Sequence, residues 1–153
     1  MNRAQLSLFF EAVFNLAVAR FYVRFFTFKN YVYRVGEPLV CEPEANDAIT
    51  ADNLQILRSI SREINRAARN VPWNAVCLPQ AMAGKWMLKR RNLPAIMFLG
   101  VAKENAAAAA EVKKIKKGEW QPGLKAHAWL KSGNYVVTGR QGHQQFTVVG
   151  RFE

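Results

Sequence analysis

VPWNAVCLPQAMAGKWMLKRRNLPA, residues 71–95, is the stretch that decides how this chain is built. Pro79 suits the first turn of a helix, where backbone N–H groups have no intrahelical partner, and residues 80–91 are strong helix formers apart from Gly84. The stretch reads as a loop that delivers Cys77 to a helix start. The partial positive charge at a helix N-terminus favours the thiolate, the nucleophilic form of cysteine. Such a thiol needs a base, and the chain has two histidines, His127 and His143. His127 stands in LKAHAWLK, residues 124–131, where the alternation predicts a strand; His143 lies in the turn-rich GRQGHQQ and is expected on a surface loop. Cys77 and His127 are therefore the candidate catalytic pair. A lone cysteine is more often a small buried hydrophobe, so the weight falls on what surrounds it.

Upstream, Thr50 or Asp52 caps a helix in which Leu54, Leu57, Ile60, Ser61, Ile64 and Ala68 recur at helical spacing, ending before Pro72. Its outer face, with Arg58, Arg62, Arg66 and Arg69, is expected to be solvated. Residues 6–28 are apolar enough to suggest a membrane segment, but Glu11, Asn15, Arg20 and Arg24 recur at spacings of four to five, read as one polar stripe. An amphipathic core helix without stable membrane insertion is expected; peripheral contact through Arg3, Arg20, Arg24, Lys29 and Arg34 stays open. No small-residue cleavage site follows it. After Phe28 this helix or its successor continues to about Val35, is stopped by Gly36 and Pro38, and leads into the acidic connector CEPEAND, residues 41–47.

Downstream, the Cys77 helix should end near Asn92, a residue that tolerates the left-handed conformation. Residues 93–102 form a buried apolar strand, and residues 103–123, with their alanine run and charged ends, a solvated surface insertion. From Leu124 the period is two: Leu124, Ala126, Ala128 and Leu130 make a core face, and Lys125, His127, Trp129 and Lys131 a functional edge. Gly133-Asn134 predicts a two-residue hairpin turn returning through residues 135–138, and residues 145–152 a last strand. The fold class is α+β in a single domain, 1–153, helical through 1–70, with a Cys77 helix against a small antiparallel sheet over 71–153.

The 153 residues suffice for one real core, and half of them are hydrophobic. Lys and Arg total 22 against 11 acids, a formal charge of +11, which favours an anionic or partly acidic partner. The basic clusters Lys89-Arg90-Arg91, Lys113-Lys114 and Lys116-Lys117 lack interleaved aromatics, and no helix-turn-helix or zinc spacing appears, so no nucleic-acid partner is expected. Cys41 and Cys77 have no metal-ligand spacing and suit a reducing compartment, with cytoplasm the default and no metal expected.

The run PW-x-x-V-CL, a helix ending in a basic cluster, then LPAIMFLGVAK, then AHAWL, in that order, resembles the peptidase protein of lasso-peptide biosynthesis, one of the transglutaminase-like cysteine enzymes. The likeness spans most of the chain and is specific around Cys77 and His127. It implies a papain/transglutaminase-like core and a cytoplasmic cysteine peptidase. Such an enzyme removes the leader from a ribosomally made precursor, releasing the core amine for ring closure. The implied partners are the precursor peptide, a separate leader-binding protein and an ATP-dependent cyclase. The winged-helix-like leader-binding module is not expected in this chain. No cofactor is expected on the chain itself, ATP being used by the cyclase.

On that reading Cys77 attacks and His127 moves the proton, with oxyanion donors from the Cys77 backbone N–H and from Trp73 or Asn74. Trp73 reads equally as a packing anchor, and Trp129 as a cleft wall or core residue. A carboxylate to orient the imidazole is missing, since the only acid after His127 is Glu153. A hairpin at Gly133-Asn134 puts Thr138 opposite Trp129 and on the His127 face, making it the expected third member, with Asn134 as the alternative. The same residues fit another transglutaminase-like amidase or acyltransferase. A non-catalytic scaffold subunit of a peptide-maturation complex fits the missing acid.

Overall fold

The computed structural model describes residues 2–41, 49–103 and 124–153. Most of the acidic connector and residues 104–123 of the expected insertion lie outside the described residues. Four helices, α1 (Arg3–Phe25), α2 (Phe28–Val35), α3 (Ala51–Asn70) and α4 (Cys77–Lys89), precede four strands. These are β1 (Ile96–Lys103), β2 (Leu124–Ser132), β3 (Tyr135–Thr138) and β4 (Thr147–Phe152), with a 3₁₀ turn (His143–Gln145) before the last. The sheet order is β3-β2-β1-β4, all neighbours antiparallel. The result is an α+β domain with helices on one face of a small sheet.

Local chemistry sets the helix ends. Asn2 caps α1 in a reciprocal box with Gln5, and the Thr50 hydroxyl accepts from the Asn53 N–H at the start of α3. Asn92 takes φ 54°, so the chain leaves α4 through the left-handed conformation expected of it. Thr27 starts a separate α2, so the N-terminal helix breaks at Phe26–Thr27 and a successor helix reaches Val35.

Along β1 and β2, Met97 pairs with Leu130 and Leu99 with Ala128; Ala128, Leu130 and Met97 are buried toward the helices. Gly84 of α4 marks the closest approach, because a Cβ there would lie 2.8 Å from Leu130 Cδ2 and 3.2 Å from Ile64 Cδ1. Alternation sends Phe98 and Trp129 to the other face, where their rings stack 5.5 Å apart. Trp129 is buried, in keeping with its reading as a cleft wall or core residue, so the functional edge is partly a second small core.

One expectation for the helices changes. At 100° per residue Glu11 and Asn15 lie on one side of α1 and Arg20 and Arg24 on another, so they form no single stripe. Glu11 turns inward, its carboxylate gripped by both Nη atoms of Arg91 at 2.9 and 2.6 Å. The Arg91 hydrogen bonds, opposed in part by burial and aided by the charges of Arg91 and Arg90, hold the Glu11 carboxyl below the usual carboxylate range. In α3, Glu63 is buried on the core side between exposed Arg62 and Arg66, 3.1 and 3.8 Å away.

Lys85 is the other buried charge, donating to the Ala95 and Phe152 carbonyls at 2.8 and 3.2 Å. Burial, partly offset by Glu153, pulls its pKa from 10.5 to about 8. Above about pH 8 the folded chain sheds this proton while the unfolded chain keeps it to 10.5, so stability rises with pH across that window. The expected gain is at most about 3 kcal/mol. Denaturant melts at pH 7.5 and 10 should show the rise in wild type and a flatter response in Lys85→Met.

Candidate active site

Cys77 is the first residue of α4, after Val76 in extended conformation, and is half-buried against the core. Here the backbone N–H groups of the first helical turn have no intrahelical partners, and the helix dipole is positive. Seven residues separate Cys77 from Gly84, nearly two full turns, so the thiol lies on the sheet-facing side of the helix. The loop before it is fixed by Gln80, whose Nε2 donates to the Ala75 carbonyl at 2.6 Å. Trp73 packs against the core with its indole Nε1 buried and without a partner among the described residues. Both readings of Trp73 thus survive in one side chain, a packing anchor that keeps an unused donor near the thiol's loop. Asn74 is exposed.

His127 is half-buried on β2, opposite Gly100. Its Nε2 lies 2.7 Å from the Gly139 carbonyl. A carbonyl only accepts, so Nε2 carries the hydrogen and the neutral ring keeps its lone pair on Nδ1. The ring sits 4.9 Å from Phe146 and stacks on Trp129 at 5.9 Å, on the face away from α4. His143, expected on a surface loop, is half-buried in the 3₁₀ turn with its ring 5.7 Å from Trp129.

The structure does not join the pair. No hydrogen bond links Cys77 to His127 among the described residues. The two stand toward the same end of the sheet but on opposite faces of it: α4 ends beside the start of β1, opposite Lys131, which puts Cys77 at the far end of the helix. His127 likewise lies four residues, about 13 Å, up β2 from Lys131.

Thr138 differs from expectation. A register shift between Leu130 and Lys131 pairs Thr138 with Leu130 rather than Trp129. One residue of slip moves a side chain to the opposite face. Thr138 therefore faces α4, where its Cγ2 would lie 3.4 Å from a Cβ at Gly84 and its hydroxyl is buried without a partner. Asn134 stays in the hairpin turn, exposed. The group that does hold His127 is the backbone of Gly139, at φ 70°. A backbone carbonyl leaves no trace in a scan for acids; a glycine just past a strand was its only sequence signal. Replacing the orphan hydroxyl, Thr138→Val is expected to stabilise the fold by about 1 kcal/mol. Its melting point should rise by about 2–4 °C. Unchanged cleavage in that variant removes Thr138 from the catalytic set, and a tenfold or larger loss restores it.

No group of three His, Cys, Asp or Glu side chains able to hold a metal occurs among the described residues. An α+β domain with a cysteine opening a helix against an antiparallel sheet and a histidine on a central strand is compatible with a cysteine-protease or acyltransferase type of fold. The family model described as the transglutaminase-like superfamily matches residues 19–151, and the chain belongs to that superfamily. No curated protein and no solved structure matches it.

Proposed function

We propose that this chain is the cytoplasmic cysteine peptidase that removes the leader from a ribosomally made lasso-peptide precursor. The Cys77 thiolate attacks the carbonyl carbon at the leader–core junction, forming a C–S bond and an oxyanion. The first-turn N–H groups and the Trp73 indole are the donors for that oxyanion. His127 takes the Cys77 proton on Nδ1, and as the C–N bond breaks it delivers that proton to the departing core amine. Water, deprotonated by His127, then attacks the thioester and frees the leader with a new carboxylate. In this reading the Gly139 carbonyl orients the imidazole where other enzymes use a carboxylate. This reading requires a Cys77–His127 contact to form in the substrate complex, because the unbound chain holds the two on opposite faces of the sheet.

What carries the reading is Cys77 at the first position of α4 in a transglutaminase-like chain. A separate leader-binding protein presents the precursor, and an ATP-dependent cyclase uses the released amine. The test is mass spectrometry of precursor incubated with this protein and a leader-binding partner. Cleavage at one junction, lost in Cys77→Ala, supports the proposal; equal processing by both proteins refutes it. The absent Cys77–His127 hydrogen bond favours a second reading, a scaffold subunit of a maturation complex. A scaffold predicts that Cys77→Ala still supports maturation by the other components.

A further inference from the structure

α1 is apolar nearly all the way round, and the core covers only one side of it. Ala12, Leu16 and Ala19 are fully buried against the rest of the domain. On the opposite side Leu6, Phe10, Phe14, Phe21 and Phe25 fall within about 100° of arc and run about 29 Å along the helix. Their exposures are 41%, 60%, 68%, 53% and 66%. The rings are clustered: Phe21 lies 4.9 Å from Phe25 and 5.9 Å from Phe26, itself 44% exposed. A continuous aromatic face of this length exceeds the scattered apolar residues of an ordinary protein surface.

Charge around this face identifies what covers it. Residues 2–36 contain five cations, Arg3, Arg20, Arg24, Lys29 and Arg34, and one acid, Glu11, which Arg91 already holds. Arg24 lies over the Phe25 ring at 5.6 Å, and by helical position Arg3 and Arg24 fall within the arc of the exposed rings with Arg20 beside it, so basic heads and aromatic rings occupy the same surface. Two copies meeting through this face would bring like charges together. A bilayer interface with anionic headgroups accepts both the rings and the cations.

We propose that the exposed face of α1 docks this protein on an anionic lipid surface, with the helix lying in the plane of the interface. By length and composition Arg3–Phe25 is also the one helix among the described residues that qualifies to cross a membrane. Crossing would strip Ala12, Leu16 and Ala19 from the core and Glu11 from Arg91, whereas lying flat keeps every one of those contacts. The geometry thus separates a peripheral helix from a spanning one.

The test is flotation of the full chain with vesicles of phosphatidylcholine alone or mixed with phosphatidylglycerol. Wild type should float with the mixed vesicles, more weakly with phosphatidylcholine alone, and less as salt rises. The triple variant Phe10→Ser, Phe14→Ser, Phe21→Ser should bind on the order of 100-fold more weakly, since three large apolar side chains no longer enter the interface. Its circular dichroism and melting point should match wild type, and Phe14→Ser alone, at the most exposed ring of α1, serves if the triple variant misfolds. No flotation with mixed vesicles, or equal flotation of wild type and variants, overturns the proposal. So does concentration-dependent self-association that the triple variant abolishes without any vesicle binding, which would make the face an interface between copies.

Discussion

Cys77→Ala is expected to lower leader cleavage by at least about 10³-fold while leaving the melting point close to wild type, because the whole of the proposed reaction passes through the thiol. The half-buried Cys77 side chain lies at a helix end, and alanine at the first helical position keeps the backbone geometry. His127→Ala should cost about 10²–10⁴-fold, the usual worth of a positioned acid–base group. In the double variant the losses should not multiply, since each residue is useless without the other. Trp73→Phe separates the two roles of that residue. Loss of the indole N–H alone should cost about 10²–10³-fold if it donates to the oxyanion, and nothing beyond a small packing change if it does not. Single-turnover cleavage assays on the folded variants measure all four.

Gly84→Val is expected to destabilise the fold strongly. At Gly84 a Cβ alone would stand 2.8 Å from Leu130 Cδ2, 3.2 Å from Ile64 Cδ1 and 3.4 Å from Thr138 Cγ2. Leu130 and Ile64 are fully buried, so neither has room to retreat. Alanine brings one such clash but gains about 1 kcal/mol of helix propensity, so its net effect should be small. Valine adds two methyl groups to the same contact and should cost about 3 kcal/mol through forced shifts of α4 against the sheet. In a domain of this size that lowers the melting point by roughly 6–12 °C. A valine variant that melts with wild type would show that α4 does not pack on the sheet through Gly84. Because Cys77 shares the face of α4 that Gly84 occupies, the same shift should also impair cleavage.

The sequence by itself determined what depends on neighbours along the chain. The Thr50 cap, the stop at Gly36, the left-handed Asn92, the two-residue turn at Gly133-Asn134 and the placing of Cys77 at a helix start all follow from local backbone preferences. Those act over one turn or less and need no partner. The α+β class followed from the switch of hydrophobic period between the helices and β2.

Tertiary structure decided what depends on which faces meet. A single irregularity between Leu130 and Lys131 turned Thr138 away from His127, because strand side chains alternate and one residue of slip reverses every one. Lys85 and Glu63 are buried because distant carbonyls and flanking arginines compensate them, which residue type alone argues against. His127 found its partner in the backbone of Gly139, a group every residue carries and no motif marks. On α1 the sequence shows apolar residues on every side, and only packing reveals that the Leu16 side is core and the Phe14 side is left to solvent.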